Sequence, residues 1–240
     1  MTQMKLLLTS LGLTNESIQK ALLDLLGKPI NQSTALFVPT AIYAYPKASN
    51  YAWNFMQSIA NLGWKKFGVL ELTALPSLNK DAFLPEIEEA DALIVGAGNG
   101  FYLSFWMKKS GLFGILSKLL EKGKTYVGIS AGSMILTHSL YFDPKRFEKT
   151  GIYYDDEYDE EGPINASNDK TMRLVDFVIR PHLNSNMIPK ATLKNIEKWA
   201  AKIDVPLYAI DDQTALKIVD GKVEVITEGE WKLFEKKKRD

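Results

Sequence analysis

Short apolar runs alternate with amphipathic segments along most of this chain. Residues 4–9 read as a first strand, after which Thr14 or Asn15 caps a helix. In that helix Ile18, Ala21, Leu22, Leu25 and Leu26 keep the i, i+3, i+4, i+7, i+8 spacing of one buried face, and Gly27 and Pro29 stop it. Residues 35–38 form a second buried strand ending at Pro39. A loop over 40–49 then leads to a helix over 50–62, with Phe55, Ile59 and Leu62 on one face. Gly63 closes that helix, a third strand covers 67–72, and a short helix covers 81–89. The fourth strand, 92–95, runs directly into Gly96-Ala97-Gly98-Asn99-Gly100. Helical segments over 101–122, broken near Gly111, lead to a fifth strand at 125–129. Gly128-Ile129-Ser130-Ala131-Gly132 follows, and an apolar helical segment is expected over 133–140.

Beyond residue 140 the pattern loosens. A strand over 174–179 enters Arg180-Pro181-His182, a helix covers 189–202, and a strand over 207–210 leads to Asp211-Asp212. Strands at 214–219 and 222–226 flank Asp220-Gly221, a two-residue hairpin turn, and residues 230–234 add an edge strand. This alternation predicts an α/β fold: a mostly parallel sheet covered by helices on both faces, giving three αβα layers. No internal repeat or Pro-, Gly- or Ser-rich linker divides it, so residues 1–240 are read as one domain. In such sheets ligands bind beyond the carboxyl ends of the strands, where the turns at Gly96 and Gly128 both fall.

Composition narrows the chemistry. Hydrophobic content of 46% and charged content of 24% are ordinary for a globular chain of 240 residues. Lys+Arg and Asp+Glu both total 29, so no net field invites nucleic acid or a membrane surface. The apolar run at 6–8 is too short for a signal-peptide core, and a cytoplasmic location is expected. Cysteine is absent, which excludes disulfides, thiolate metal sites and a cysteine nucleophile; His138 and His182 are the only histidines. The acidic stretch Asp155, Asp156, Glu157, Asp159, Glu160, Glu161 lacks the spacing of a calcium loop and reads as a solvated surface insertion at about 153–168. The basic tail 236–239 reads as a disordered end.

Strand, G-x-S-x-G, helix is the context of a nucleophile elbow, in which Ser130 stands exposed at the carboxyl end of its strand. A serine nucleophile needs a base. His138, eight residues on in the expected helix, lies roughly 12 Å along its axis and is out of reach. His182, past a strand end and stiffened by Pro181, falls at the site edge. Asp211 or Asp212, after the next strand, can orient the imidazole, with Asp143 a weaker rival in a Phe-Asp-Pro turn. Oxyanion donors are expected from the Ala131 amide and one amide of the 96–99 turn. Dinucleotide binding is discounted, because Phe101 stands where G-x-G-x-x-G requires glycine.

Phe37-Val38-Pro39-Thr40-Ala41, Gly96-Ala97-Gly98-Asn99, Gly128-Ile129-Ser130-Ala131-Gly132, Pro181-His182 and Asp212-Gln213-Thr214-Ala215-Leu216 occur in that order. Together they resemble the peptidase E (S51) family of aspartyl dipeptidases and cyanophycinase relatives, over about residues 5–226. The resemblance implies a fold akin to class I glutamine amidotransferases, a Ser130–His182–acid triad, and an oxyanion hole of the Gly98 and Ala131 amides. The family's acid is usually a glutamate, and Asp212 holds its position, with Asp211 in reserve. Asn99, Arg173 and Arg180 are the candidate substrate-binding residues. Arg180-Pro181-His182-Leu183 departs from the dipeptidases' N-P-H-F, and the interval from Ser130 to His182 is longer. The expected protein is a peptidase of short peptides, monomer or homodimer, without metal or cofactor. A non-catalytic binding module on the same fold, or an esterase or amidase, are the alternatives.

Overall fold

The structure, a computed structural model, describes residues 3–45, 49–140, 154–155, 160–161 and 171–236. Its centre is a seven-stranded sheet. Strands β1 (Lys5–Thr9), β2 (Thr34–Val38), β3 (Lys66–Val69), β4 (Ala92–Val95) and β5 (Thr125–Ile129) are parallel and lie in the order β1-β5-β4-β2-β3. On the β1 side the hairpin of β10 (Thr214–Val219) and β11 (Lys222–Thr227) adds two antiparallel strands. Its turn residues Asp220 and Gly221 have φ of 50° and 79°, the left-handed pair that a two-residue turn between twisted strands requires.

The parallel strands are buried on both faces, and the pleat divides their side chains between two cores. Leu6, Leu8, Leu36, Val38, Leu93, Val95 and Tyr126 face α3 (Leu84–Glu89), α4 (Gly100–Lys109) and α5 (Leu112–Glu121). Leu7, Ala35, Phe37, Ala92, Ile94, Val127 and Ile129 face α1 (Glu16–Leu26) and α2 (Ser49–Ala60). The α1 cap is Asn15, whose side chain accepts from the Ile18 amide, and left-handed Gly27 ends the helix. Leu26, on the margin of the expected face, is only partly buried against this core.

Three expectations are corrected. The helical segment expected over 133–140 is a single turn, α6 (Ala131–Met134). The carbonyls of Ile135 and Leu136 accept from the amides of Met172 and Leu174, and the His138 amide donates to Phe177, so cross-chain pairing replaces the helix. The same pairing shortens the strand expected at 174–179 to β8 (Val178–Arg180). Finally, β8, β9 (Leu207–Ile210) and β12 (Trp231–Phe234) do not join the main sheet. They form a second sheet in the order β12-β9-β8, with α7 (Leu193–Ala200) on one face and the larger core on the other. Of the acidic stretch only the ladder of β6 (Tyr154–Asp155) and β7 (Glu160–Glu161) is described; the remainder of 153–168, Asp143 and residues 237–239 lie outside the described residues. No helix among the described residues is long and apolar enough to cross a membrane.

Candidate active site

Ser130 joins β5 to α6 with φ 49° and ψ −107°, a conformation that costs a serine on the order of 1–3 kcal/mol. Neighbouring hydrogen bonds impose it. The Ser130 amide (3.0 Å) and the Ser133 hydroxyl (2.7 Å) both donate to the Thr9 carbonyl at the end of β1. The fully buried Tyr126 hydroxyl donates to the Gly132 carbonyl at 2.6 Å, and burial pushes its phenol well above the ordinary range, so the donor proton is retained. The glycines of the motif serve close approach rather than turn conformation. A Cβ at Gly128 would lie 2.7 Å from the Gly132 carbonyl oxygen, and one at Gly132 would overlap the backbone of Val95 on β4. The left-handed residue is the serine itself. Ser130 is also less open than the motif suggests, at 5% exposure beside a 3% exposed His182.

The second sheet supplies the partners. Strands β8 and β9 are parallel, with Arg180 opposite Ala209, so their carboxyl ends lie side by side. His182 and Asp212 each stand two residues past those ends. His182 Nδ1 is 2.6 Å from Asp212 Oδ1, and Nε2 is 3.0 Å from Ser130 Oγ. An ionised carboxylate only accepts, so Nδ1 carries the hydrogen and Nε2 of the neutral ring accepts from the Ser130 hydroxyl. Two hydroxyls that sequence reading missed complete the carboxylate's partners. Ser10 donates to Oδ1 at 2.8 Å and Ser185 to Oδ2 at 2.7 Å. The only sequence signals for them are the place of Ser10 directly after β1 and that of Ser185 three residues after His182.

Burial pushes the Asp212 carboxyl up. The hydrogen bond and charge of His182, helped by Ser185 and Ser10, outweigh it and hold the carboxyl down at about 2, against an ordinary 3.8. A depressed carboxylate contributes stability that is complete above its unfolded value and is lost as pH falls through the folded one. Asp212 is therefore expected to contribute about 2 kcal/mol above pH ~4, declining to nothing below pH ~2. Urea unfolding of wild type and Asp212→Asn across that range checks it. The two stability differences must converge toward acid; parallel curves would contradict the assignment.

The remaining sequence candidates fall as follows. The Asp211 carboxylate is occupied by the Gln213 amide, the Thr214 hydroxyl and the Glu230 amide, so it shapes the turn while Asp212 faces the imidazole. His138 lies past α6, its amide bonded to Phe177 and its carbonyl to the Thr171 hydroxyl. The turn over 96–99 ends β4, next to β5, and Gly98 has φ 133°, where an added Cβ would overlap the Ala41 backbone. Among the described residues no acceptor takes the amides of Gly98 or Ala131. The Asn99 side chain caps α4 by accepting from the Tyr102 amide. Arg173 is exposed, whereas Arg180 is buried with its guanidinium 4.2 Å from the centre of the Trp199 ring on α7. The described residues contain no cluster of three or more His, Asp or Glu able to hold a metal ion.

Known proteins resemble this chain in sequence and in fold. An uncharacterized peptidase of Listeria monocytogenes is 25% identical over 81% of this chain and 85% of its own length. A peptidase E of Shewanella denitrificans is 27% identical over 89% of this chain and 83% of its own. A protein of Drosophila melanogaster named "probable alpha-aspartyl dipeptidase" is 25% identical over 88% and 80%. The fold matches the crystal structure of a Listeria monocytogenes protein assigned to peptidase E, with TM-score 0.69, 21% identity, and 95% and 100% of the two chains covered. It also matches that of a peptidase from an acI-B1 actinobacterium, with TM-score 0.61, 18% identity, and 98% and 95% covered. The model of peptidase family S51 matches residues 6–226, and on that match this chain, a peptidase and hence a hydrolase, belongs to peptidase family S51.

Proposed function

We propose that the protein is a serine peptidase of short peptides in which Ser130, His182 and Asp212 act as a triad through an acyl-enzyme. The observation that carries this reading is the unbroken path Ser130 Oγ–His182 Nε2, 3.0 Å, and His182 Nδ1–Asp212 Oδ1, 2.6 Å. Ser130 Oγ adds to the scissile carbonyl carbon while its proton passes to His182 Nε2. The negative oxygen that forms is held by the amides of Gly98 and Ala131, on the turns ending β4 and β5. Asp212 stays ionised and stabilises the imidazolium, which then protonates the leaving amine. Water, deprotonated by His182, cleaves the ester and releases the acid. No step requires a metal or cofactor.

The low exposure of Ser130 and His182 favours small substrates. The Drosophila melanogaster relative that bears the aspartyl dipeptidase name makes Asp-X dipeptides the first to try, and of the two candidate arginines Arg173 is the exposed one. The test is a fluorophosphonate label with its adduct located by peptide mass mapping, alongside a dipeptide panel that includes Asp-X members. The adduct is expected on Ser130, with at least one panel member hydrolysed. Turnover with the adduct on another residue, or an unlabelled active enzyme, would refute the Ser130 assignment.

A further inference from the structure

Ser130 follows a strand of the seven-stranded sheet and His182 a strand of the three-stranded one, while Asp212 lies in the short connection from β9 of the small sheet to β10 of the large. Their alignment therefore depends on whatever ties the two sheets together at that point. We propose that Ser10 is a positioning residue, a hydrogen-bonded strut from the end of β1 that holds His182, which follows the small sheet, and Asp212, which lies between the two sheets, in line with Ser130 of the large one. The inference rests on the triad reading and extends it to a residue outside the triad.

Ser10 directly follows β1, the neighbour of β5, where Thr9 lies opposite Ile129. Its side chain is completely buried. The hydroxyl accepts from the His182 amide at 2.8 Å and donates to Asp212 Oδ1 at 2.8 Å, and it lies 3.4 Å from His182 Nδ1. One oxygen thus holds the backbone of the base and the carboxylate that orients it. The residue beside it holds the other partner, since the Thr9 carbonyl accepts from the Ser130 amide and the Ser133 hydroxyl. Thr9 and Ser10, adjacent on one strand end, set the positions of all three proposed catalytic groups.

The chemistry of the position suits a hydroxyl. The atom must accept from an N–H and donate to a carboxylate at once, within the volume of one small side chain. Alanine does neither and leaves the His182 amide, on a residue held at φ 63°, buried without an acceptor. Ser185, on the other carboxylate oxygen, is part-buried and belongs to the same loop as His182, so it joins that loop to Asp212 and leaves the link to β1 to Ser10.

The test compares wild type with Ser10→Ala, Ser10→Cys and Ser10→Thr. The readouts are kcat and KM on a hydrolysed dipeptide, the rate of fluorophosphonate labelling, the acid limb of kcat/KM and the thermal midpoint. Loss of a hydrogen bond to a charged, positioned group predicts a fall in kcat and labelling rate of about 10- to 100-fold for Ser10→Ala, with KM within about twofold. With one donor gone, Asp212 offers more charge to the imidazole, so the acid limb moves to higher pH. Ser10→Thr, which keeps the hydroxyl, returns kcat and the limb toward wild type. Ser10→Cys, similar in volume and a weak donor, shows the alanine effect and serves if the alanine variant does not fold. Unchanged kcat and acid limb in the alanine and cysteine variants would overturn the strut. So would losses in all three that follow the thermal midpoint with no movement of the limb. A wild type that hydrolyses peptides but is not labelled at Ser130 overturns the triad reading first, and the strut with it.

Discussion

Ser130→Ala is expected to lower peptide turnover by about 10⁴-fold or more while leaving the folded protein intact. The two halves of that expectation have separate causes. Turnover falls because the only atom removed is the Oγ that stands 3.0 Å from His182 Nε2. The fold persists because the turn is held by backbone groups that alanine keeps. The residue 130 amide still donates to Thr9, and its carbonyl still accepts from the Ser133 and Met134 amides. Alanine carries the same strain at φ 49° as serine. Turnover on the responsive dipeptides and a thermal melt, run in parallel on wild type and variant, check both halves. A variant that keeps more than about a hundredth of wild-type turnover would remove Ser130 from the chemistry. Unchanged peptide binding with no turnover in wild type would instead favour the binding-module alternative.

The largest expected loss of stability is at Gly132→Ala. A Cβ there would overlap the carbonyl of Val95, which is backbone in the centre of the main sheet and fully buried, with neighbours on both sides. Neither a rotamer change nor a small shift relieves that overlap, so α6 must lift away from β4 and carry Ser130 with it. A destabilisation of more than about 4 kcal/mol is expected, enough to remove most folded protein from a domain of ordinary stability. Gly114→Ala is the matched control. Gly114 lies in α5 with nothing within 4 Å of its added Cβ, so the change is expected to be neutral or to stabilise by up to about 1 kcal/mol. Soluble yield and urea midpoints of the two variants decide the point. A wild-type midpoint for Gly132→Ala would mean that the turn does not pack on β4 in solution.

Residues 92–95, 125–129, 207–210 and 214–219 were each legible as strands with their observed bounds, because runs buried on both faces announce themselves locally. The α1 face and the Asp220-Gly221 turn were legible for the same reason. Periodicity and left-handed turn chemistry are properties of a few adjacent residues. Ser130, His182 and the Asp211-Asp212 pair were visible as chemistry at strand ends. Three features were not legible, and each depends on contacts between distant residues. Residues 135–140 have a helical pattern but pair instead with the 171–177 segment. The strands before His182 and Asp212 form a sheet of their own, since apolar alternation says which face is buried and nothing about which neighbour buries it. The choice between the adjacent aspartates was different: local pattern left it open, the family resemblance put Asp212 first, and the folded turn directs Asp211 at the Gln213 and Glu230 amides and Asp212 at the imidazole. Ser10 is the extreme case, its partner His182 lying 172 residues away. By itself the sequence determined the layers, most strands and the residue types at the site. The tertiary structure alone decided which strands share a sheet and which hydroxyls brace the carboxylate, because hydrogen-bond partners across more than a hundred residues are chosen by packing.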